Sequence, residues 1–438
     1  MIQTRPASTT AILTDPTSRP AGLLSLAQLR VFAIVVECGS ASRAAEQLFR
    51  AQSSVTRSVR ELEETLDQEL LERRPSGMLP TSVGRAVYER SRRIFGELQE
   101  LGQWCAARQS RVRTVPPRAI PSYLLNTRRL ELLVALVRHK HMPSAARAMG
   151  VSQPAISSAV RIVESGAGFA LFHRTARGMQ LTNEGETFAL GMRRALNELR
   201  HIPDDIAAIR GIICGHVTVG ALPFSRTLIL PEAMARVRRA YPGVRITTDE
   251  SAYEMLAAGV RAGDIDFILG ALRATDPASG LYAEPLVSES MVVLSRPGHP
   301  LAGKRALKLK QLADASWVLP RSHTPARSIL DALFVRMKLS SPVPAVETAD
   351  LAIIRGLLLR TDMVAVLSPQ QVHYELETGQ LIILDVTLPE ADREIGLTMR
   401  AAGDPSPAAR KLIDAIREVT RQDPYRPPLS PLREQRPL

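Results

Sequence analysis

Displaced by 101 positions, the chain repeats itself. Residues 29 to 98 align with 130 to 199 without a gap. Identities fall at Leu29/Leu130, Ala44/Ala145, Ala45/Ala146, Gln52/Gln153, Val59/Val160, Arg60/Arg161, Glu63/Glu164, Leu70/Leu171, Arg73/Arg174, Gly77/Gly178, Met78/Met179, Thr81/Thr182 and Gly84/Gly185. So many matches in one register are not chance. The period is too long and the copies too few for a solenoid, so the chain holds a duplicated domain of about seventy residues.

Both copies spell the same local structure. "LAQLRVFAIVVECG" and "NTRRLELLVALVRHK" place apolar residues at helical spacing. A short helix follows in each, where Ala44-Ala45 and Ala145-Ala146 let another helix approach closely. After a tight turn a third helix begins. In the second copy Ser152 stands at its N-cap and Pro154 in its first turn, where the missing amide hydrogen costs nothing. Helix, turn and helix in this order expose the start of the third helix to a major groove. Beyond it, "LLERRPSGMLPTSVG" and "LFHRTARGMQLTNEG" read as basic, glycine-containing hairpins, with Arg73, Arg74, Arg174 and Arg177 placed as a wing against phosphate.

These stretches resemble the amino-terminal winged helix-turn-helix of LysR-type transcriptional regulators. The pattern is Ala-Ala, Ser-Gln-Pro-Ala-Ile-Ser, the Leu-Phe-x-Arg wing start and Leu-Thr-x-x-Gly, and the second copy carries it almost letter for letter. The resemblance implies DNA contacts from Ser152, Gln153, Pro154, Ser157, Arg161, Arg174 and Arg177, and from Gln52, Ser53, Thr56, Arg60 and Arg73 in the first copy. It also implies that the long helix after each wing pairs antiparallel with its twin to form a homodimer or homotetramer. The family has one such domain, so the doubling is a departure.

Charge separates the copies. Residues 23 to 79 carry 7 basic and 8 acidic side chains, against 8 and 2 for residues 124 to 180. The second copy is therefore expected to bind a polyanion more strongly. Gln52 and Thr56 remain suited to base contacts, since glutamine can bond adenine bidentately. Against the second copy, "KHMPS" replaces the family's usual Gly-Ser, and "SGAGFA" puts glycines at the end of its reading helix, each costing about 1 kcal/mol of helix propensity. Over longer spans, residues 21 to 210 hold 27 basic and 18 acidic side chains and residues 211 to 422 hold 24 and 23, so the basic excess is amino-terminal.

From residue 216 short apolar strands alternate with helices: "HVTVGAL", "VRITTDE" and "IDFILGAL", then "MVVLSR", "SWVLP", "VPAVET" and "MVAVLS". This is a βαβ succession. "LIILDV" and "IGLTMR" are expected to return to the first lobe. Two such lobes resemble the periplasmic-binding-protein fold, whose ligands sit at the carboxyl ends of strands. Three loops are candidates for an effector cleft, through Pro223, Phe224 and Ser225, through Arg321, Ser322 and His323, and through Thr348. Helix amino-termini there suit a small carboxylate or a hydroxyl-rich ligand. Thr324 is placed to cap a helix opened by Pro325. Ordinary capping is an equally good account of Ser225, Thr324 and Thr348.

The expected fold is thus multidomain: two all-α-rich winged helix-turn-helix domains, then an α/β two-lobed effector domain. The boundaries are a disordered extension (1–24), the first winged domain (25–84), a linker helix (85–108) and an exposed Arg/Pro-rich linker (109–123). The second winged domain (124–185), its linker helix (186–212), the effector domain (213–421) and a disordered tail (422–438) follow. Lobe I takes 213–285 and 381–421, and lobe II 286–380. The three cysteines are widely spaced and fit neither a disulfide framework nor a zinc site. No P-loop, G-x-S-x-G or H-E-x-x-H occurs, and residues 1 to 24 contain no apolar signal-peptide core.

The expectation is a cytoplasmic, non-enzymatic regulator without cofactor or metal. Its partners are double-stranded promoter DNA, a small-molecule effector (a small carboxylate, aromatic acid or sugar) and, for an activator, RNA polymerase, with no membrane. The other reading is a solute-binding protein whose amino-terminal domains bind no DNA.

Overall fold

A computed structural model of the full chain describes residues 24–75, 77–109, 119–176, 178–273 and 279–422. The extension before residue 24, Arg177 and all but the first residue of the tail lie outside the described residues. Two compact units divide at Ile209/Arg210.

The first unit holds both copies. Helices α1 (Leu26–Cys38), α2 (Ala41–Leu48) and α3 (Gln52–Leu66) lead into strands β1 (Leu71–Arg74) and β2 (Gly77–Pro80) and the long helix α4 (Ser82–Arg108). The second copy repeats this as α5 (Thr127–His139), α6 (Met142–Ala148), α7 (Gln153–Ala167), β3 (Phe172–Thr175), β4 (Gly178–Leu181) and α8 (Asn183–Ile209).

The residues shared between copies are those that fasten the hairpin to the helices. The Glu63 carboxylate accepts from the amides of Leu70 (2.8 Å) and Leu71 (3.2 Å), and Glu164 from Leu171 (2.7 Å) and Phe172 (3.1 Å). Thr81 and Thr182 each accept from the amide three residues on, at 2.9 Å, starting α4 and α8. A Cβ on Gly84 would stand 1.9 Å from the Leu70 carbonyl oxygen, and one on Gly185 2.1 Å from that of Leu171, so only glycine fits where helix meets strand. Gly77 and Gly178 have φ of 121° and 105°, and their neighbours Met78 and Met179 donate to the carbonyls of Gly39 and Lys140.

The turn before the third helix differs. Gly150 takes the left-handed conformation at φ 63°, whereas in the first copy Phe49 does so at φ 52° with its ring 96% exposed. The glycines of "SGAGFA" leave α7 the same length as α3, at 15 residues. A Cβ on Gly166 would meet the Tyr123 ring at 2.3 Å, so that glycine admits the incoming chain, and Gly168 ends the helix at φ 81°.

The connector departs from expectation. Residues 110–118 lie outside the described residues, but Ile120 and Leu124 are buried in the core the two copies share. The Gln109 side chain donates to the carbonyls of Gly166 and Ala167 at 3.0 Å. The end of the linker expected to be exposed is therefore docked on the second copy, because it carries the apolar Ile120 that a Pro/Arg-rich segment was not expected to bury.

Helices α4 and α8 pack along each other within the chain. Arg90 meets Glu198 and Asp205, Glu97 meets Arg194, and Leu101 lies beside Gly191. Rising numbers on one helix meet falling numbers on the other, so the pair is antiparallel. At the start of the two copies the Leu26 amide donates to Thr127 Oγ1 at 3.0 Å. Leu26 and Thr127 are equivalent under the 101-residue shift, so an approximate twofold axis passes between them and through the middle of the α4/α8 pair.

The second unit is a two-lobed α/β domain. Lobe I carries β5 (Gly215–Ala221), α9 (Ile229–Ala240), β6 (Val244–Asp249), α10 (Tyr253–Ala262), β7 (Phe267–Ala271) and β8 (Leu281–Ser290). Lobe II carries β9 (Val292–Ser295), β10 (Trp317–Leu319), α11 (Pro325–Arg336), β11 (Pro344–Glu347), α12 (Leu351–Leu358), β12 (Val364–Leu367), α13 (His373–Glu377) and β13 (Ile382–Ile383). β14 (Asp392–Arg400) and α14 (Pro407–Gln422) complete lobe I. The sheet orders are β6-β5-β7-β14-β8 and β11-β10-β12-β9-β13.

The lobe boundaries need two corrections. β8 stays in lobe I to Ser290, past the expected change at 285/286. Within "LIILDV", Ile382 and Ile383 pair antiparallel with β9, so this segment belongs to lobe II and the chain returns only at β14. β8 itself escapes a pattern search because Pro285 interrupts it. The sheet accommodates that proline at a register shift opposite Gly396, where a Cβ would stand 2.0 Å from the Glu284 carbonyl oxygen.

Candidate nucleic-acid interface and effector cleft

Each reading helix buries one stripe and leaves the other to solvent. In α7, Ile156, Ala159, Val160 and Val163 are buried; in α3, Val55, Val59 and Leu62 are. Gln52, Ser53, Thr56 and Arg60 are exposed, as are Ser152, Gln153, Pro154, Ser157 and Arg161. Arg73 and Arg174 are exposed on the two hairpins, and Arg177 is outside the described residues. Ser152 stands at the N-cap of α7 with Pro154 in the first turn, but the serine hydroxyl does not close the cap.

The helices differ in how far their cations are neutralised. On α3, Arg57 pairs with Glu61 at 2.8 Å, which also accepts from Gln28, and on the hairpin Arg74 pairs with Glu72 at 2.9 Å. The equivalent positions of the second copy, Ser158, Ile162, Thr175 and His173, hold no acid. The charge difference counted along the sequence thus has a local counterpart on the faces themselves.

In the second unit the candidate loops follow the carboxyl ends of β5, β10 and β11. Pro223 is half-buried. Phe224 packs in the lobe I core, and the Ser225 hydroxyl, fully buried, donates to the Leu222 carbonyl at 2.9 Å. Arg321, Ser322 and His323 are exposed. Thr324 occupies the N-cap of α11, yet its hydroxyl donates back to the Arg321 carbonyl at 2.8 Å and does not cap the helix. Thr348 accepts from the Asp350 amide at 3.1 Å, and Asp350, two residues on, is the actual cap of α12.

The lobes meet around these loops. The Thr227 hydroxyl donates to the Gln370 carbonyl at 3.4 Å. The Glu254 carboxyl lies below its ordinary range, held first by its own backbone amide and then by Arg273 of lobe I and His323 of lobe II. Arg273 donates to Glu254 at 2.6 Å while lying over the Tyr253 ring, and its buried Nε has no bond partner among the described residues. Burial lowers the Arg226 guanidinium, and Glu250 of lobe I and Asp350 of lobe II oppose that fall.

Where the chain crosses between lobes, Glu289 at the end of β8 pairs with Arg393 at the start of β14. Burial raises the Glu289 carboxyl against the pull of Arg393 and Ser368. Sequence reasoning does not single out Arg226, Glu254, Arg273, Glu289, Asp350 or Arg393. The only available signal is a charge interrupting an otherwise apolar strand or opening a helix.

Among the described residues no group of His, Cys, Asp and Glu could hold a metal ion. No described helix is long and apolar enough to cross a membrane.

Paired reading helices with wings, joined to a two-lobed domain whose lobes meet at polar and charged side chains, define a ligand-responsive DNA-binding regulator. Known proteins carry the same kinds of domain. The bacterial regulatory helix-turn-helix family of the lysR type matches twice, at residues 26–85 and 127–186, and the LysR substrate binding domain matches residues 211–421. The chain is 46% identical over 397 residues to the HTH-type transcriptional regulator GalR of Pseudomonas putida, covering 91% of this chain and 98% of that one. With PcaQ of Agrobacterium fabrum, also an HTH-type transcriptional regulator, it shares 30% identity over 67% of this chain and 94% of the relative. A full-length OxyR variant from Pseudomonas aeruginosa shares the fold, with a TM-score of 0.54 at 23% identity over 70% of this chain and 98% of that one.

The chain belongs to the LysR family of transcriptional regulators, with DNA-binding helix-turn-helix domains and an effector-binding domain. The alternative of a solute-binding protein falls away, since the relatives are regulators.

Proposed function

We propose that this cytoplasmic regulator reads promoter DNA chiefly through α7 and its wing, with α3 as the weaker head, and senses a small metabolite between the lobes of its second unit. The observation that carries this reading is the set of exposed polar and cationic side chains on α7 and β3, in register with α3 and β1 but with Ile162 and His173 where the first copy has Glu61 and Glu72. Ser152, Gln153, Pro154, Ser157, Arg161, Arg174 and Arg177 supply base and phosphate contacts. Gln52, Ser53, Thr56, Arg60 and Arg73 do the same more weakly. Phosphate contacts fix register and base contacts specify sequence.

The effector is a small carboxylate, aromatic acid or sugar. Arg321, Ser322, His323 and Thr348 receive it from lobe II and Pro223 and Arg226 from lobe I, whereas Phe224 and Ser225 shape the wall from within the core. Its binding shifts the population of lobe arrangements and so the oligomer, a homodimer or homotetramer, that engages the promoter and RNA polymerase.

A mobility-shift titration of the full chain tests the DNA reading. Its own promoter region is expected to bind at least about a thousandfold more tightly than random duplex at physiological salt, with log K falling linearly in log salt. Equal binding of random DNA defeats it. For the cleft, a thermal-shift screen of small acids and sugars is expected to raise the unfolding temperature for one chemical class only. A screen with no stabilising compound removes the effector assignment.

A further inference from the structure

We propose that one chain supplies both halves of a DNA-reading pair, and that a buried, unsymmetrical set of side chains between α4 and α8 makes the pair heterotypic. Its DNA site is therefore two dissimilar half-sites, not a palindrome. The half-site statement rests on the DNA-reading role above; the pairing statement does not.

An approximate twofold axis relates the two copies. Two equivalent heads related by such an axis present their reading helices as the two subunits of a helix-turn-helix dimer do, to half-sites on one duplex. Here the axis relates residue i to residue i + 101 of the same chain. The antiparallel α4/α8 pair thereby takes the place of a pair of identical helices from two chains.

The axis is broken where the side chains matter. Arg90 is buried between the two helices, its Nη1 2.6 Å from Glu198 and its Nε 2.5 Å from Asp205. The residues equivalent to Arg90, Glu198 and Asp205 are Gly191, Glu97 and Trp104. At the opposite end of the seam, Trp104 sets its ring edge-on to Phe169 at 5.5 Å, and the residue equivalent to Phe169 is Gln68. One end is ionic and the other aromatic.

Pairing α8 with a second α8 would set Glu198 and Asp205 against Gly191 and leave buried carboxylates without Arg90. Pairing α4 with a second α4 would set Arg90 against Glu97 in place of Glu198 and against Trp104 in place of Asp205, so that one of its two carboxylates is lost. A buried charge stripped of its partner is strongly unfavourable, which is how single polar residues select partners in paired helices. The contacts of Gln109 with Gly166 and Ala167, and the burial of Ile120, hold the second copy against the helix that precedes it.

Gly191 supplies the test. A Cβ built there falls 3.6 Å from that of Leu101, within the span of about 3.5–4.5 Å that a disulfide requires. In a full-length chain carrying Cys38→Ser, Cys105→Ala and Cys214→Ser, the pair Leu101→Cys and Gly191→Cys is expected to oxidise to a cross-link within one chain. That product runs at monomer size without reductant, migrates differently once reduced, and has lost both free thiols. Covalent dimers, or no cross-link, would overturn the intramolecular pair.

The unaltered chain gives an independent measurement. Selection from a random duplex pool is expected to yield two unlike half-sites, and duplexes that duplicate either half are expected to bind at least about tenfold more weakly. A palindromic consensus, or equal binding of a symmetrised site, overturns the heterotypic reading. A pool that yields no sequence overturns the DNA-reading role itself and leaves the cross-link result standing.

Discussion

Substitution of Arg90 by Met is expected to lower the stability of the first unit by about 3–5 kcal/mol, the range for removing one partner of a buried charge set. Arg90 and Glu198 have side chains only 2% exposed, and that of Asp205 is 15% exposed, so solvent cannot take over the role of the guanidinium. The two carboxylates would be left facing a thioether. The triple variant Arg90→Met, Glu198→Gln, Asp205→Asn is expected to recover most of the loss, since it removes the charges with their partner. Urea unfolding followed by far-ultraviolet circular dichroism measures both. A single variant as stable as the parent chain would show that the ion set contributes nothing to holding the two helices together.

The second large effect concerns reading. Gln153→Ala is expected to weaken binding to the selected DNA site by about 10- to 100-fold, the value of one bidentate glutamine–adenine contact. The same change at Gln52 should weaken it by less than about fivefold, because the face around Gln52 is partly neutralised by Glu61 and Glu72. Titrations of both variants at one salt concentration decide the matter. Equal losses would mean two equal readers and would remove the ranking of the heads.

Much of this arrangement is legible in the sequence, for a physical reason. Glu63/Glu164, Thr81/Thr182 and Gly84/Gly185 are local devices, each closing a contact within about twenty residues of itself, so their spacing shows in the linear order. The duplication then displays each device twice. Lobe membership is harder to read. "LIILDV" has the composition of a strand in either lobe, and only its pairing with β9 decides which. β8 hides because Pro285 breaks its pattern, although a bulge opposite Gly396 makes room for the proline. The cleft is legible as loops and not as charges. Glu254 lies within the electrostatic reach of His323, and Glu289 pairs with Arg393, across separations set by the tertiary fold. The pairing of α4 with α8 is foreseeable in direction but not in partner, since an amphipathic helix does not announce whether its mate lies in the same chain.

The covalent joining of α4 to α8 changes how occupancy depends on copy number. When two heads must first find each other, the population of paired readers falls with the square of the protein concentration once the subunits begin to dissociate. A tethered head instead sees its mate at an effective concentration set by the chain between them, of the order of millimolar for a short connector. For the α4/α8 contact, the fraction of heads that are paired is therefore fixed at synthesis. A cell holding a few copies of this protein has the same fraction of paired heads as one holding hundreds.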